Sequence, residues 1–234
     1  MIEAVLLDVG GVFFLPAPER IAPVLARAGV ALDDPETFDR AHYHGVAALE
    51  DFREGDQDVW AAYNRAYAAA CGVPADAVTD TVVALMSEFT VGGLWTREVP
   101  GARDALRALA DTDVRLAIVS NSDGTVEELL REHEMCQVGP GPGVEVHAVL
   151  DSSVIGFAKP DPRIFHVALE RVGIEARDAI HVGDTPGADV DGARAAGIEP
   201  VLVDPAGLHG DLDVRRVHHL RDVAGLVAET RAEI

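Results

Sequence analysis

The stretch Ala4-Val5-Leu6-Leu7-Asp8-Val9-Gly10-Gly11-Val12 decides the architecture. Four apolar residues without polar alternation read as a strand buried on both faces, and an aspartate followed by paired glycines reads as the turn at its carboxyl end. Four later runs stop in the same manner. Val114 to Val119 ends at Ser120-Asn121, Val146 to Leu150 at Asp151-Ser152, Ala179 to Val182 at Gly183-Asp184, and Pro200 to Val203 at Asp204. Helical patterns separate them: Ala102 to Ala110, Val126 to His133, Pro162 to Val172, and Ala188 to Ala196, the last closed by Gly197. A glycine just past the final turn is a common helix stop. This alternation predicts an α/β fold, a Rossmann-like parallel sheet covered by helices on both faces. Right-handed crossovers put the strand ends on one edge, so Asp8, Ser120 and Asp184 are expected in one crevice.

From about Arg20 to Leu94 the alternation breaks. Helical patterns run over Pro35 to Leu49, Asp56 to Ala70 and Asp76 to Phe89, with no convincing strand. The expected organisation is a core of residues 1–17 and 95–234 and an inserted all-helical domain, 18–94, lying over the crevice as a lid. Gly139-Pro140-Gly141-Pro142-Gly143 reads as a stiff exposed loop without chemistry.

Composition narrows the classes. In 234 residues the formal net charge is −21, a field that repels nucleic acid and anionic membrane surfaces, so neither is expected as a partner. Hydrophobic content of 48% suits an ordinary globular interior. No apolar run approaches a membrane span, and Met1-Ile2-Glu3 enters the first strand without a basic leader, so a cytoplasmic protein is expected. Cys71 and Cys136 show no CxxC spacing and read as reduced, buried thiols. A monomer or homodimer is expected.

Of 19 basic residues, Lys159 is the single lysine. It sits in Gly156-Phe157-Ala158-Lys159-Pro160-Asp161-Pro162, a loop opening onto a helix. A compact ammonium with three donors suits a tight site where a carboxylate and a phosphate must be bridged.

Four segments now stand in order: Asp8-Val9-Gly10-Gly11-Val12, Val119-Ser120-Asn121, Lys159-Pro160-Asp161-Pro162, and Val182-Gly183-Asp184 with Asp189 five residues on. This set resembles the haloacid dehalogenase-like (HAD) superfamily of hydrolases, of the phosphatase type with a helical cap inserted after the first motif. The resemblance covers essentially the whole chain. It implies a Mg²⁺-dependent phosphatase that hydrolyses a small phosphorylated metabolite through an aspartyl-phosphate. Asp8 would be the nucleophile, Ser120 the hydroxyl that holds the phosphoryl oxygens, and Lys159 the charge that neutralises them. Asn121 and Gly11 would help bind the substrate. The metal would take Asp8, the Gly10 carbonyl, Asp184 and Asp189, with Asp189 bound directly, through water, or serving to hold Lys159.

The chain departs from the pattern at Gly10, where most phosphatases of the family carry a second aspartate that protonates the leaving group and activates water. Glycine keeps the backbone carbonyl and loses the carboxylate, which removes a contribution of about 10²–10⁴-fold. Glycine there also occurs in a branch resembling sugar-phosphate phosphatases. His42, His44, Glu50 and Asp123 are candidates for the missing acid, and His42-x-His44 lacks a third ligand for a zinc site. Three other readings stay open. One is a non-catalytic phosphate- or partner-binding module, for which Gly10 is the motive. Another is a 2-haloacid dehalogenase, which the Gly183-Asp184 pair disfavours. The third is a phosphotransferase that passes the aspartyl-phosphate to a sugar hydroxyl.

Overall fold

The computed structural model describes residues 1–49 and 57–232. The first strand, β1 (Ala4–Leu7), is wholly buried, and a short β2 (Phe14–Pro16) follows the glycine turn. Four helices come next: α1 (Pro18–Arg27), α2 (Pro35–Ala47), α3 (Gln57–Ala70) and α4 (Val78–Phe89). The chain then returns through β3 (Trp95–Glu98) to α5 (Ala102–Ala110), β4 (Arg115–Ser120) and α6 (Val126–Glu132). Two short strands, β5 (Cys136–Val138) and β6 (Val144–Val146), precede β7 (Ala148–Asp151), α7 (Ser152–Ile155) and α8 (Pro162–Val172). The last part holds β8 (Ala179–Gly183), a π-helical turn over Pro186–Asp191, α9 (Gly192–Ala195), β9 (Glu199–Val203), β10 (Arg215–Val217) and α10 (Arg221–Ala232).

Six strands make one parallel sheet in the order β10-β9-β8-β1-β4-β7. The register sets Leu7 beside Ile118 on one side and Val182 on the other. Asp8, one residue on, therefore stands between the ends of both neighbours. Alternate residues of β1 feed opposite faces, as a pleated strand must. Val5 and Leu7 pack with Leu106, Leu130 and Val223, whereas Ala4 and Leu6 pack with Phe165, Leu169 and Ala193. Helices cover both faces, which is why β1 needs no polar residue.

Helices α1 to α4 surround an apolar cluster of their own, including Phe38, Tyr63, Tyr67 and Leu85. The expected helix from Asp56 begins at Gln57 among the described residues, and Asp56 and Glu50 lie outside them. At the root of this insertion β2 pairs antiparallel with β3, a ribbon the sequence does not announce. Its strands are three and four residues long, and β3 is only half-buried throughout, so neither alternation nor a full apolar run marks it.

Two expected elements differ in detail. The run Val146 to Leu150 is split at His147, whose N–H reaches the Leu116 carbonyl at 2.8 Å. Val146 ends β6, which pairs with β5, and Ala148 begins β7, which pairs with β4. The expected helix over Ala188 to Ala196 starts as a π turn, so its first part is wider than an α-helix.

Candidate active site

The carboxyl edge of the sheet gathers the expected acids and the lysine. Lys159 Nζ lies 2.7 Å from Asp8 Oδ1 and 2.6 Å from Asp189 Oδ1, with all three side chains buried. Asn121 fixes the loop that delivers the lysine. Its amide NH₂ donates to the Lys159 carbonyl at 2.8 Å and its Oδ1 accepts from the Lys159 N–H at 2.7 Å. Both ends of this side chain thus hold a backbone, a task different from the substrate contact expected of it.

Asp189 is fully engaged by protein donors. Oδ1 meets Lys159 and His181 Nε2, the latter at 2.8 Å, and Oδ2 accepts from the Thr185 N–H at 2.9 Å. The π turn allows this, because it aims Asp189 back at Gly183. A Cβ there would lie 2.2 Å from the Asp189 carboxyl carbon, so only glycine fits. Of the roles open to Asp189, the geometry favours holding Lys159. His181, inside a strand read simply as apolar, is the support the sequence did not reveal. Burial pushes its pKa down, against the pull of Asp189.

Asp184 faces the other way. Oδ1 accepts from Thr185 Oγ1 at 3.0 Å, and Oδ2 lies 2.8 Å from His42 Nε2. His42 comes from α2 of the helical insertion and is backed by Tyr63 Oη, 2.9 Å from its Nδ1. The neighbouring Tyr43 hydroxyl donates to the Gly11 carbonyl at 2.8 Å. Among the four candidates for the missing acid, His42 reaches the acids, Asp123 lines the cavity above them, His44 is exposed, and Glu50 falls outside the described residues. Gly11 has φ +66, and a Cβ on it would sit 1.9 Å from Asp184 Oδ2 and 2.8 Å from His42 Nε2. Its N–H is taken by the Phe14 carbonyl at 2.9 Å, so the position supplies room rather than a donor for substrate. Gly10 differs. A Cβ there would meet only the Trp95 ring, at 3.6 Å. Ser120 ends β4 and lines the same cavity.

Asp8, Asp184 and Asp189 present carboxylate oxygens all within 4.8 Å of one another. Three buried acids share one ammonium, which leaves negative charge uncompensated. The Asp8 carboxyl stands raised to about 7: burial pushes it up, Lys159 pulls it down, and Asp189 and Asp184 push it up. Lys159 itself is held above its ordinary value, because the two carboxylates outweigh the cost of burial. A compact cluster of hard oxygens in charge surplus fits a divalent cation of the magnesium type, with Asp8 and Asp184 the carboxylates left to meet it.

Above the acids opens a cavity of about 980 Å³, floored by the sheet edge and walled by the helical insertion and β3. That volume suits a small organic molecule.

The family model for haloacid dehalogenase-like hydrolases matches residues 2–197. Haloacid dehalogenase-like hydrolase domain-containing protein 3 of Bos taurus is 36% identical over 131 residues, 55% of this chain and 48% of that protein. The phosphoserine phosphatase of Thermus thermophilus is 39% identical over 105 residues, 45% of this chain and 40% of that protein. The chain thus aligns with about half of each of these curated relatives or less. Among solved structures, the 2-haloacid dehalogenase of Pseudomonas syringae superposes with a TM-score of 0.57 at 21% identity, over 98% of this chain and 99% of that one. At that identity the likeness speaks to the fold alone. With the matched model covering most of its length, the chain belongs to the haloacid dehalogenase-like hydrolases.

Proposed function

We propose that the protein is a Mg²⁺-dependent phosphatase acting on a small phosphorylated metabolite through an aspartyl-phosphate, with residues 18–94 as a cap over a core of 1–17 and 95–234. The observation that carries it is the ammonium of Lys159 held between Asp8 and Asp189 at the sheet edge, facing a cavity of metabolite size. The phosphatase relative of Thermus thermophilus points the same way.

Asp8, Asp184 and the Gly10 carbonyl would hold the ion, and Asp189 would keep Lys159 in place. The ion would supply fixed positive charge against the phosphoryl oxygens. Asp8 attacks phosphorus through a carboxylate oxygen, the ester P–O bond breaks, and the leaving oxygen departs to be protonated. Water then attacks the phosphorus of the aspartyl-phosphate, releasing phosphate and restoring Asp8. Throughout, the Lys159 ammonium and the Ser120 hydroxyl offer donors to the three equatorial oxygens, which is where phosphoryl transfer accumulates charge. Helices of the insertion close the site from above, and Tyr43 on Gly11 and His42 on Asp184 tie that closure to the nucleophile loop and to a metal-binding acid.

Release of phosphate from an aryl phosphate, with and without Mg²⁺ and beside Asp8→Asn, tests this. Turnover that needs both the ion and Asp8 is expected. No release above the Asp8→Asn level would favour the second reading, a binding module that kept the scaffold, for which the missing carboxylate at Gly10 is the motive. The same glycine predicts a steeper dependence on leaving-group acidity than in a relative with aspartate there, and a flat series would count against it.

A further inference from the structure

The cavity has two unlike walls, and their chemistry restricts what can hang from the phosphate. On the insertion side stand Val46, Leu49, Tyr63, Phe89, Leu94 and Trp95. The rings brace one another edge to face: Tyr63 with Phe89 at 5.3 Å, Phe89 with Trp95 at 6.0 Å, and Trp95 with His42 at 5.4 Å. Such packing fixes a flat apolar surface before anything binds. The opposite rim, from the loop after β4 and from α6, carries Asp123, Glu128 and Glu132. Among the described residues lining the cavity, Lys159 is the one lysine or arginine, and both of its carboxylate partners are at the bottom of the site. Of the two lining histidines, His42 is engaged with Asp184, and His133 packs its ring edge-on against Phe14. Asn64, on the same wall as Tyr63, donates its NH₂ to the Trp60 carbonyl at 2.9 Å. Its buried Oδ1 has no hydrogen-bond partner among the described residues. That oxygen is closed off from the cavity, since Asn64 is wholly buried.

Resting on the phosphatase reading above, we infer that the substrate carries a single anionic group, its phosphate, and that the remainder is an aromatic or similarly flat apolar body, neutral or cationic. A second anion, such as the carboxylate of a phosphorylated acid or another phosphate, would lose its hydration against an apolar wall. It would meet the rim acids and find, among the described lining residues, no lysine or arginine besides Lys159 to replace the water. An aromatic body gains area against Phe89 and Trp95 that a short polyol does not.

A matched set of aryl phosphates reads this directly: 3-(hydroxymethyl)phenyl, 3-(aminomethyl)phenyl and 3-carboxyphenyl phosphate, with glycerol phosphate as the polyol comparison. We expect kcat/KM for the first two to exceed that for the carboxylate by roughly tenfold or more, the lower end of what burying an uncompensated polar group costs. Val91→Arg, which adds a cation at an exposed lining position, should narrow that gap. Equal rates across the set, or preference for the carboxylate, would overturn the inference and leave the phosphatase reading standing. A second arm needs no turnover. Asp8→Asn protein is titrated with 3-hydroxybenzyl alcohol and with 3-hydroxybenzoate, following quenching of Trp60 and Trp95. Preference for the alcohol without any hydrolysis in the first arm would keep the pocket's selectivity and remove the phosphatase reading. No preference in either arm would sink the inference.

Discussion

The floor and the wall of one cavity are built on opposite rules. At the sheet edge, Lys159, Asp184 and Asp189 are each held by two or three named partners, and exchanging a carboxylate for a neutral group changes the charge of a buried cluster. On the insertion side, apart from His42 and Tyr43, contacts are ring on ring and aliphatic on ring, and Asn64 Oδ1 and Tyr67 Oη have no hydrogen-bond partner among the described residues. The first wall can run one kind of chemistry. The second meets it through His42, which Tyr63 backs, and through Tyr43; away from those contacts it can be repacked, so on the proposed function reaction and specificity would rest largely on different elements of the fold. If the division is real, changes to the floor alter kcat and charge, and changes to the wall alter KM.

The largest effect is expected from Lys159→Met. Removing one donor of preorganised charge typically costs about 10²–10³-fold in kcat. Leaving buried carboxylates without their partner costs about 3–5 kcal/mol of stability. The pH dependence of that loss has a definite sign. Asp8 is raised from 3.8 to about 7 in the folded chain, so its protonated form favours folding. That contribution is present at low pH and disappears as pH rises through the folded value. Without the ammonium to pull it down, the variant should be markedly less stable than the parent at pH 8 and closer to it at pH 5. Urea melts without added metal at the two values check this. Arginine should not restore activity, since a planar fork does not fit between two buried carboxylates spaced for a point charge.

Gly11→Ala comes next, and Gly10→Asp is its control. At Gly11 the added methyl would collide with Asp184 and the backbone sits at φ +66, so the acid must move. Mg²⁺ affinity, read by calorimetry, should fall by about 10–100-fold, the range for disturbing the support of a metal ligand. One residue earlier the same kind of change meets only ordinary contact with Trp95. Gly10→Asp should therefore fold normally, and a rise in turnover of alkyl phosphates would identify the missing acid as the limit on rate. Unchanged turnover would mean another group already supplies the proton, and His42 is the residue whose geometry then calls for attention.

A wall change should behave differently. Phe89→Ala removes a ring that braces both Tyr63 and Trp95. KM for an aryl phosphate should rise by roughly tenfold, on the scale of one lost apolar contact region in a pocket. kcat should stay within about twofold, because apolar pocket contacts act on ground and transition states alike. A fall in kcat with KM unchanged would break the division between floor and wall.

That division also explains what could be read in advance. Asp8, Ser120, Lys159 and Asp184 were legible because each follows a buried apolar run or precedes a helix, and the topology of a parallel sheet does the rest. The same local pattern carries the sheet itself. His42 was one of four candidates for the missing acid and Tyr43 was not named at all, because their contacts with Asp184 and Gly11 depend on how four helices dock, over separations of 142 and 32 residues. His181 is hidden for a related reason: inside a buried strand its one polar edge matters only once the π turn delivers Asp189 to it. Asn121 was placed in the site, but its hold on the loop was not legible, since nothing local tells that its amide closes on the Lys159 backbone 38 residues away. The ribbon of β2 and β3 escaped because three-residue strands carry no period to read.

The smallest effect tests whether the two regions also open separately. Each holds one buried cysteine: Cys71 belongs to the apolar cluster of the helices, and Cys136 to the cluster on one face of the sheet. Burial pushes both thiols up to about 12. A raised thiol pKa leaves little thiolate at pH 8, and the thiolate is the reactive form, so neither should react with a disulfide reagent in the folded protein. Labelling then reports opening of the surrounding cluster, since an exposed thiol returns to its ordinary reactivity. The two clusters meet mainly through Trp95, which packs partly against both. At denaturant concentrations below the main transition, Cys71 should therefore label several-fold faster than Cys136, as expected when one cooperative unit opens ahead of another. Mass spectrometry of the two peptides gives the ratio. Equal rates at every concentration would mean that helices and sheet unfold as one body, and the cap would then have to be regarded as a fixed wall and not a unit that moves.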